Sequence, residues 1–141
     1  MRRITRNAIL LILGVVVGLL ALGALPGLIQ TGDPYHLEAE TTEATGESVD
    51  IDGLSERRFP FLFEAIEAAD SGDQPARSTA YFTGAVGFKE AFTHTPFDEF
   101  DELESRNPDA IERTATSPVG DVIYVERSDT RYRIEIVRGQ P

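Results

Sequence analysis

The chain has 141 residues, with 24 acidic, 13 basic, two histidines and no cysteine. Lacking cysteine, it can form no disulfide, present no thiolate nucleophile and offer no sulfur ligand to zinc. Its net charge of −11 at pH 7 argues against nucleic acid as a partner, because phosphate binding needs clustered lysine and arginine.

The N-terminus differs in character from the rest. "MRRITRN" carries Arg2, Arg3 and Arg6 and no acid, and residues 8–29 then run 22 positions without a charge. At about 1.5 Å per residue, such a helix reaches roughly 33 Å, enough to cross a hydrocarbon core about 30 Å thick. Pro26-Gly27 closes it near an interface. Arginines precede the run, and Asp33 and Glu38 follow it. The positive-inside tendency therefore puts the N-terminus in the cytoplasm and the remainder outside, with the lipid bilayer contacting residues 8–29. Gly14 and Gly18, spaced as G-x-x-x-G, suit close packing of two such helices. The competing reading is a cleaved secretory signal with small residues at Ala21-Leu22-Gly23. Against it, the apolar run exceeds the roughly 7–15 residues of a signal core. Both readings export the domain, anchored in one case and secreted in the other.

All 24 acidic residues lie beyond residue 30, with ten of the 13 basic ones, so that part carries −14. Lys89 is the one lysine against twelve arginines. So dense a negative surface repels itself in dilute buffer and opposes compaction. At about 1 M salt the Debye length falls to about 3 Å and that repulsion largely disappears. Acid excess, scarce lysine and no cysteine together are similar to proteins of extreme halophiles, haloarchaea above all.

The expected domain organisation is an anchor or signal over 1–30, a linker over 31–34 and an acidic extracytoplasmic domain over 35–141. "YHLEAE" (35–40) alternates Tyr35, Leu37 and Ala39 with His36, Glu38 and Glu40, a half-buried strand. Residues 41–48 are polar and loop-like, and "VDI" (49–51) is a brief strand ended by Asp52-Gly53. The period then changes: Phe59, Leu62, Phe63, Ile66 and Ala69 make one helical stripe. Ser55 suits an N-cap, yet Pro60 belongs in a first turn, so either a turn at 55–58 precedes a helix from about 59 or the helix bends. Ser71-Gly72 is its stop. Residues 77–86 have strand-like composition with a bend at Gly84, and 87–92 fit either a strand or a helical turn. Residues 106–109 and 117–120 read as turns, with a candidate edge strand over 110–116. Strands over 121–127 and 131–138 flank "SDT" (128–130) as a closing hairpin. Tyr132, Ile134 and Ile136 mark its packed face.

Five of the seven residues from Asp98 to Glu104 are carboxylates, and His94 lies just upstream. Thr95 as cap, Pro96 at the first helical position, and Asp98 and Glu99 in the positive first turn predict a helix. Phe97, Phe100 and Leu103 or Glu104 form its apolar stripe, leaving the carboxylates on a solvated face. A calcium loop needs oxygen ligands at alternating positions and a central glycine; here Phe100 and Leu103 hold the third and sixth places counted from Asp98. Pro96 interrupts a helical His94–Asp98 metal pair. Ser55, His94 and Asp98 can be written as a triad, but no G-x-S-x-G elbow supports it. "TGAVGF" (83–88) lacks the order and the lysine of a phosphate loop. Glu64 and Glu67 are expected to be solvated, His36 to be an exposed strand residue, and "ERR" (56–58) to pair with nearby acids.

The order of a strand from Tyr35, then "GLSERRFPFLFEAIEAADSG" (53–72), then "YVERSDTRYRIEI" (124–136) resembles small membrane-anchored haloarchaeal proteins grouped as a domain family of unknown function. Leu54-Ser55, Ala69, Gly72, Tyr124-Val125 and Tyr132 carry the resemblance; Pro60 and the acidic stretch around 93–108 depart from it. It implies no activity and no site residues.

The expected fold class is α+β: one N-terminal transmembrane helix, then a small antiparallel sheet of three to five strands with one main packed helix and a C-terminal β-hairpin. The expected function is a non-enzymatic, membrane-anchored extracytoplasmic interaction or accessory module with an envelope protein partner. The alternative is a small-ligand or cation-binding sensor domain with its pocket near residues 78–84. No catalytic, cofactor-binding or metal-ligating residue is assigned, and no cofactor.

Overall fold

A computed structural model describes residues 2–28, 32–83, 93–114 and 119–140. Helix α1 (Arg2–Leu28) contains a 20-residue stretch, Arg3–Leu22, long and apolar enough to cross a membrane or to be a signal sequence. No part of that stretch is buried against the rest of the chain.

Beyond α1 the class is α+β. Strand β1 (Pro34–Thr41) and strand β2 (Val49–Asp50) lead to helix α2 (Pro60–Asp70) and strand β3 (Tyr81–Phe82). Helix α3 (Pro96–Arg106) follows, then a 3-10 turn at Pro108–Ala110, strand β4 (Ile111–Glu112), strand β5 (Val122–Arg127) and strand β6 (Thr130–Arg138). The sheet order is β2-β5-β6-β1-β3, with β4 also on β5. Since β6 occupies one edge of β5 throughout, β2 and β4 share the other edge, opposite Val125–Glu126 and Val122–Ile123 respectively.

Three expectations are corrected here. The sheet is mixed, because β2 runs parallel to β5, and among the described residues it has six strands against the three to five expected. The helix expected from Thr95 onward, α3, packs on the sheet beside the one main helix, α2, and each contributes fully buried residues to the same core. The closing hairpin turns through two residues, Ser128 and Asp129, with φ of 49° and 65°. Positive φ at both central positions is the type I′ pattern that matches strand twist, so Thr130 already belongs to β6.

The alternation along the strands sets the layers. Leu37 and Ala39, Ile123 and Val125, and Tyr132, Ile134 and Ile136 face inward and are buried. Leu62, Phe63, Ala65 and Ile66 of α2 and Phe100 and Leu103 of α3 close over them. The outward positions carry the charge: Glu40 stands opposite Arg133, and Glu126 opposite Arg131. Such opposite-charge pairs favour this register.

Helix α2 begins at Pro60, after turn residues 56–58, as the turn-then-helix reading expects. Gly72, at φ 82°, ends it by donating to the Ala69 carbonyl. Of the expected strand over 77–86, the described residues 77–83 hold a bridge at Arg77 and β3. The edge strand expected over 110–116 is β4 alone among the described residues. The readings at Gly84 and over 87–92, and part of the 117–120 turn, lie outside the described residues.

Candidate functional site

Helix α2 starts without a cap of its own. Phe59 stands at its N-cap and makes no side-chain capping bond. A new helix leaves its first N–H groups without intrahelical acceptors. Pro60 has no N–H, which leaves Phe61 and Leu62; Phe63 already donates to the Phe59 carbonyl. Both open donors go to a single carboxylate from another helix. Glu99 Oε1 accepts from the Phe61 amide at 3.1 Å, and Oε2 accepts from the Leu62 amide at 2.8 Å.

Glu99 is completely buried. The expectation that the carboxylates of α3 share a wet face is therefore corrected at this residue. With Pro96, Phe100 and Leu103, Glu99 lies on the buried side of α3. It belongs there because the positive end of α2 faces that side, and an anion at a helix N-terminus is favoured. Its remaining described partner is His94, whose Nε2 lies 2.8 Å from Oε1. The imidazole is 44% exposed and stacks on Phe61 at 6.2 Å between centroids and 21° between planes. Burial pushes the Glu99 carboxyl above its ordinary value of 4.5, opposed by the bonds from Leu62, His94 and Phe61.

The cap of α3 is as expected. Thr95 accepts from the Asp98 amide, and the Asp98 carboxylate accepts from the Thr95 amide at 3.0 Å, a reciprocal box. Asp98 is thus turned back on Thr95, while His94 pairs with Glu99. The paper triad of Ser55, His94 and Asp98 does not assemble through these bonds.

Other polar groups in or near the core serve the frame. Ser78 Oγ accepts from the Leu37 amide at 3.0 Å, and Asp121 accepts from the Thr114 amide at 2.7 Å. Glu64 is exposed, as expected, and accepts from both the amide and the hydroxyl of Thr79. His36 Nδ1 lies 2.9 Å from the Ser78 carbonyl oxygen. Arg58 pairs with Glu102 at 2.8 Å, as the reading of residues 56–58 expects.

A second constellation was not singled out in the sequence. Tyr132, at the inward face of β6, donates to Asp70 Oδ1 at 2.6 Å. Its phenol is pushed up to about 12, first by burial and then by the Asp70 carboxylate. The pair floors an open cleft of about 600 Å³ lined also by Glu67, Ser71, Arg127, Ser128 and Thr130. Arg127 is held there over the Phe63 ring, 5.1 Å from its centroid. The cleft lies between α2 and the hairpin end of the sheet. The alternative reading expects a pocket between the main helix and the sheet, but near residues 78–84, and none of the described residues among these lines the cleft. The signal for it was Asp70 at the last turn of α2 together with Tyr132 on the packed face of the hairpin.

Chemically, the His94–Glu99 pair is a carboxylate–imidazole couple whose carboxylate is committed to two backbone amides. Among the described residues, no group of three or more histidine, aspartate or glutamate side chains is arranged to hold a metal ion. No family model matches the chain, and neither a curated protein nor a solved structure matches it.

Proposed function

We propose that the protein is a single-pass, membrane-anchored extracytoplasmic domain that serves as a non-enzymatic interaction or accessory module of a halophilic cell envelope. The observation that carries this reading is α1: twenty residues, Arg3–Leu22, apolar and entirely unburied by the domain that follows. Apolar surface of that extent calls for a covering medium, and a bilayer core matches its length. The arginines before it and the acidic chain after it favour a cytoplasmic N-terminus. Non-enzymatic character is supported by how the chain uses its buried polar groups: Glu99, Thr95, Ser78 and Asp121 all hold backbone amides.

Fractionation of cells expressing the chain tests this. The wild-type protein should stay in the membrane pellet after carbonate extraction. Replacing Leu13 and Val16 by arginine, at about 2.5–3.5 kcal/mol each in a helix centre, should release it from that pellet. Release of the wild-type protein would contradict the anchor. Substrate turnover lost in Glu99→Gln or His94→Ala would contradict the non-enzymatic role.

A further inference from the structure

We infer that the domain docks on the lipid headgroup region through the end of its sheet formed by Tyr35, Tyr81, Phe82 and Phe97. The inference rests on the reading that α1 crosses the bilayer, and adds to it a second contact with the membrane and a fixed polarity of the domain.

Reach supplies the first argument. Helix α1 ends at Leu28 and β1 begins at Pro34. Five intervening residues, at about 3.3–3.6 Å each, hold the start of β1 within about 20 Å of the helix end. The start of β1 is thereby the part of the domain tethered nearest the membrane, within reach of the interface that α1 leaves.

What lies at the start of β1 supplies the second. Pro34 and Tyr35 pair with Phe82 and Tyr81 of β3. The Phe97 ring, at the head of α3, meets Tyr35 edge-on at 5.2 Å and Tyr81 at 6.5 Å. All four aromatic residues are half-buried, and Tyr35 and Phe97 also pack against the core. Aromatic rings, tyrosine above all, are favoured at headgroup depth, where one part of the ring is apolar and another wet.

Charge supplies the third. At this end Asp33 is paired with Arg138, and Glu38 with Arg77 at 2.7 Å. The opposite end is different. Arg138 of β6 pairs with Tyr35, and Thr130 lies at the far end of that nine-residue strand, about 27 Å away at about 3.4 Å per residue. There the Asp52 carboxylate accepts from the Ser128 amide, and Asp70 accepts from Tyr132. Glu43 and Asp129 line a second cleft beside them. Aromatic residues and paired charges thus lie toward the tether, while clefts of mixed charge, with Arg127 and Arg131 among the carboxylates, lie away from it. An aromatic end whose charges are paired fits a headgroup interface even where molar salt screens long-range charge.

The chain contains no tryptophan, so one introduced tryptophan reports unambiguously. The test uses the full chain in phosphatidylcholine vesicles carrying shallow bromine-labelled acyl chains, at molar sodium chloride. Three reporters are compared: Phe82→Trp at the inferred contact, Thr130→Trp at the hairpin and Leu20→Trp in α1. Quenching of Phe82→Trp at least about threefold stronger than that of Thr130→Trp is expected for a ring at the interface. Tyr81→Trp, facing the other side of β3, should show the same contrast and guards against a folding defect at residue 82. Equal, weak quenching at residues 82, 81 and 130 with strong quenching at residue 20 would overturn the docking and leave the anchor standing. Weak quenching at residue 20 would overturn both. Protection of residues 82 and 81 from aqueous iodide without lipid quenching would mean that a protein surface covers this end, which also overturns the inference.

Discussion

Glu99 and His94 lie 2.8 Å apart across the wall of the core, the carboxylate wholly buried and the imidazole 44% exposed. The same carboxylate closes the start of α2 through Phe61 and Leu62. Two helices are thereby joined by one side chain.

Removal of that side chain should be costly. Glu99→Ala strands two amides, one of them fully buried, at about 1–3 kcal/mol for each unsatisfied group. A loss of about 2–4 kcal/mol of unfolding free energy is expected by urea denaturation in detergent at molar salt. Glu104→Ala, on the same helix and paired with Arg113 at the surface, should cost no more than about 1 kcal/mol. Equal losses would contradict the capping role.

The pH dependence follows from the direction of the Glu99 shift. A folded-state value raised above 4.5 means that the native state binds the proton more tightly than the unfolded chain. The associated stability is fully present below about 4.5 and is lost as pH rises through the folded-state value. The wild-type protein should therefore lose stability relative to Glu99→Gln as pH climbs from 4.5. His94 is the titratable side chain that faces Glu99, 2.8 Å from its carboxylate, so His94→Gln should change the depth of this loss. Parallel stability curves for the wild type and Glu99→Gln would refute the shift.

Tyr132 offers an optical check. Of the four tyrosines, Tyr132 is held protonated to about 12 by burial and by Asp70. Absorbance at alkaline pH should contain a late component near that value, absent in Tyr132→Phe. By the same linkage, the stability it confers is present below pH 10 and is lost as pH rises through about 12. The substitution should also cost about 1.5–3 kcal/mol, the range for a hydrogen bond to a charged group.

Salt should control folding. With −14 on the residues beyond 30, self-repulsion dominates at low ionic strength and is screened at about 1 M. Circular dichroism should show loss of structure on dialysis to dilute buffer and recovery in molar salt. An unchanged spectrum would contradict a halophilic surface.

The legible parts of the fold were those with a period. The stripe of Phe59, Leu62, Phe63 and Ile66 marks α2, and the alternation through Tyr132, Ile134 and Ile136 marks β6; all seven are buried. The cap of α3 could also be read, because Thr95, Pro96 and Asp98 act locally. What escaped depends on distant partners. Nothing in Val49–Asp50 specifies a parallel neighbour, and Ser128-Asp129 lacks the glycine that advertises a type I′ turn. Glu99 was hidden in a run of carboxylates. Two facts in the sequence point to it together: its place on the stripe of Pro96, Phe100 and Leu103, and a neighbouring helix entered through Phe59-Pro60 without a polar cap. The cleft of Tyr132 and Asp70 joins residues 62 positions apart, a distance over which periodicity carries no information.

The most direct measurement is protease digestion of intact cells carrying a C-terminal tag, with membrane and medium assayed together. A tag retained in the membrane fraction and cleaved by external protease is the expected result for an anchored domain outside the cell. A tag protected from protease would contradict the orientation, and a tag released whole into the medium would contradict the anchor.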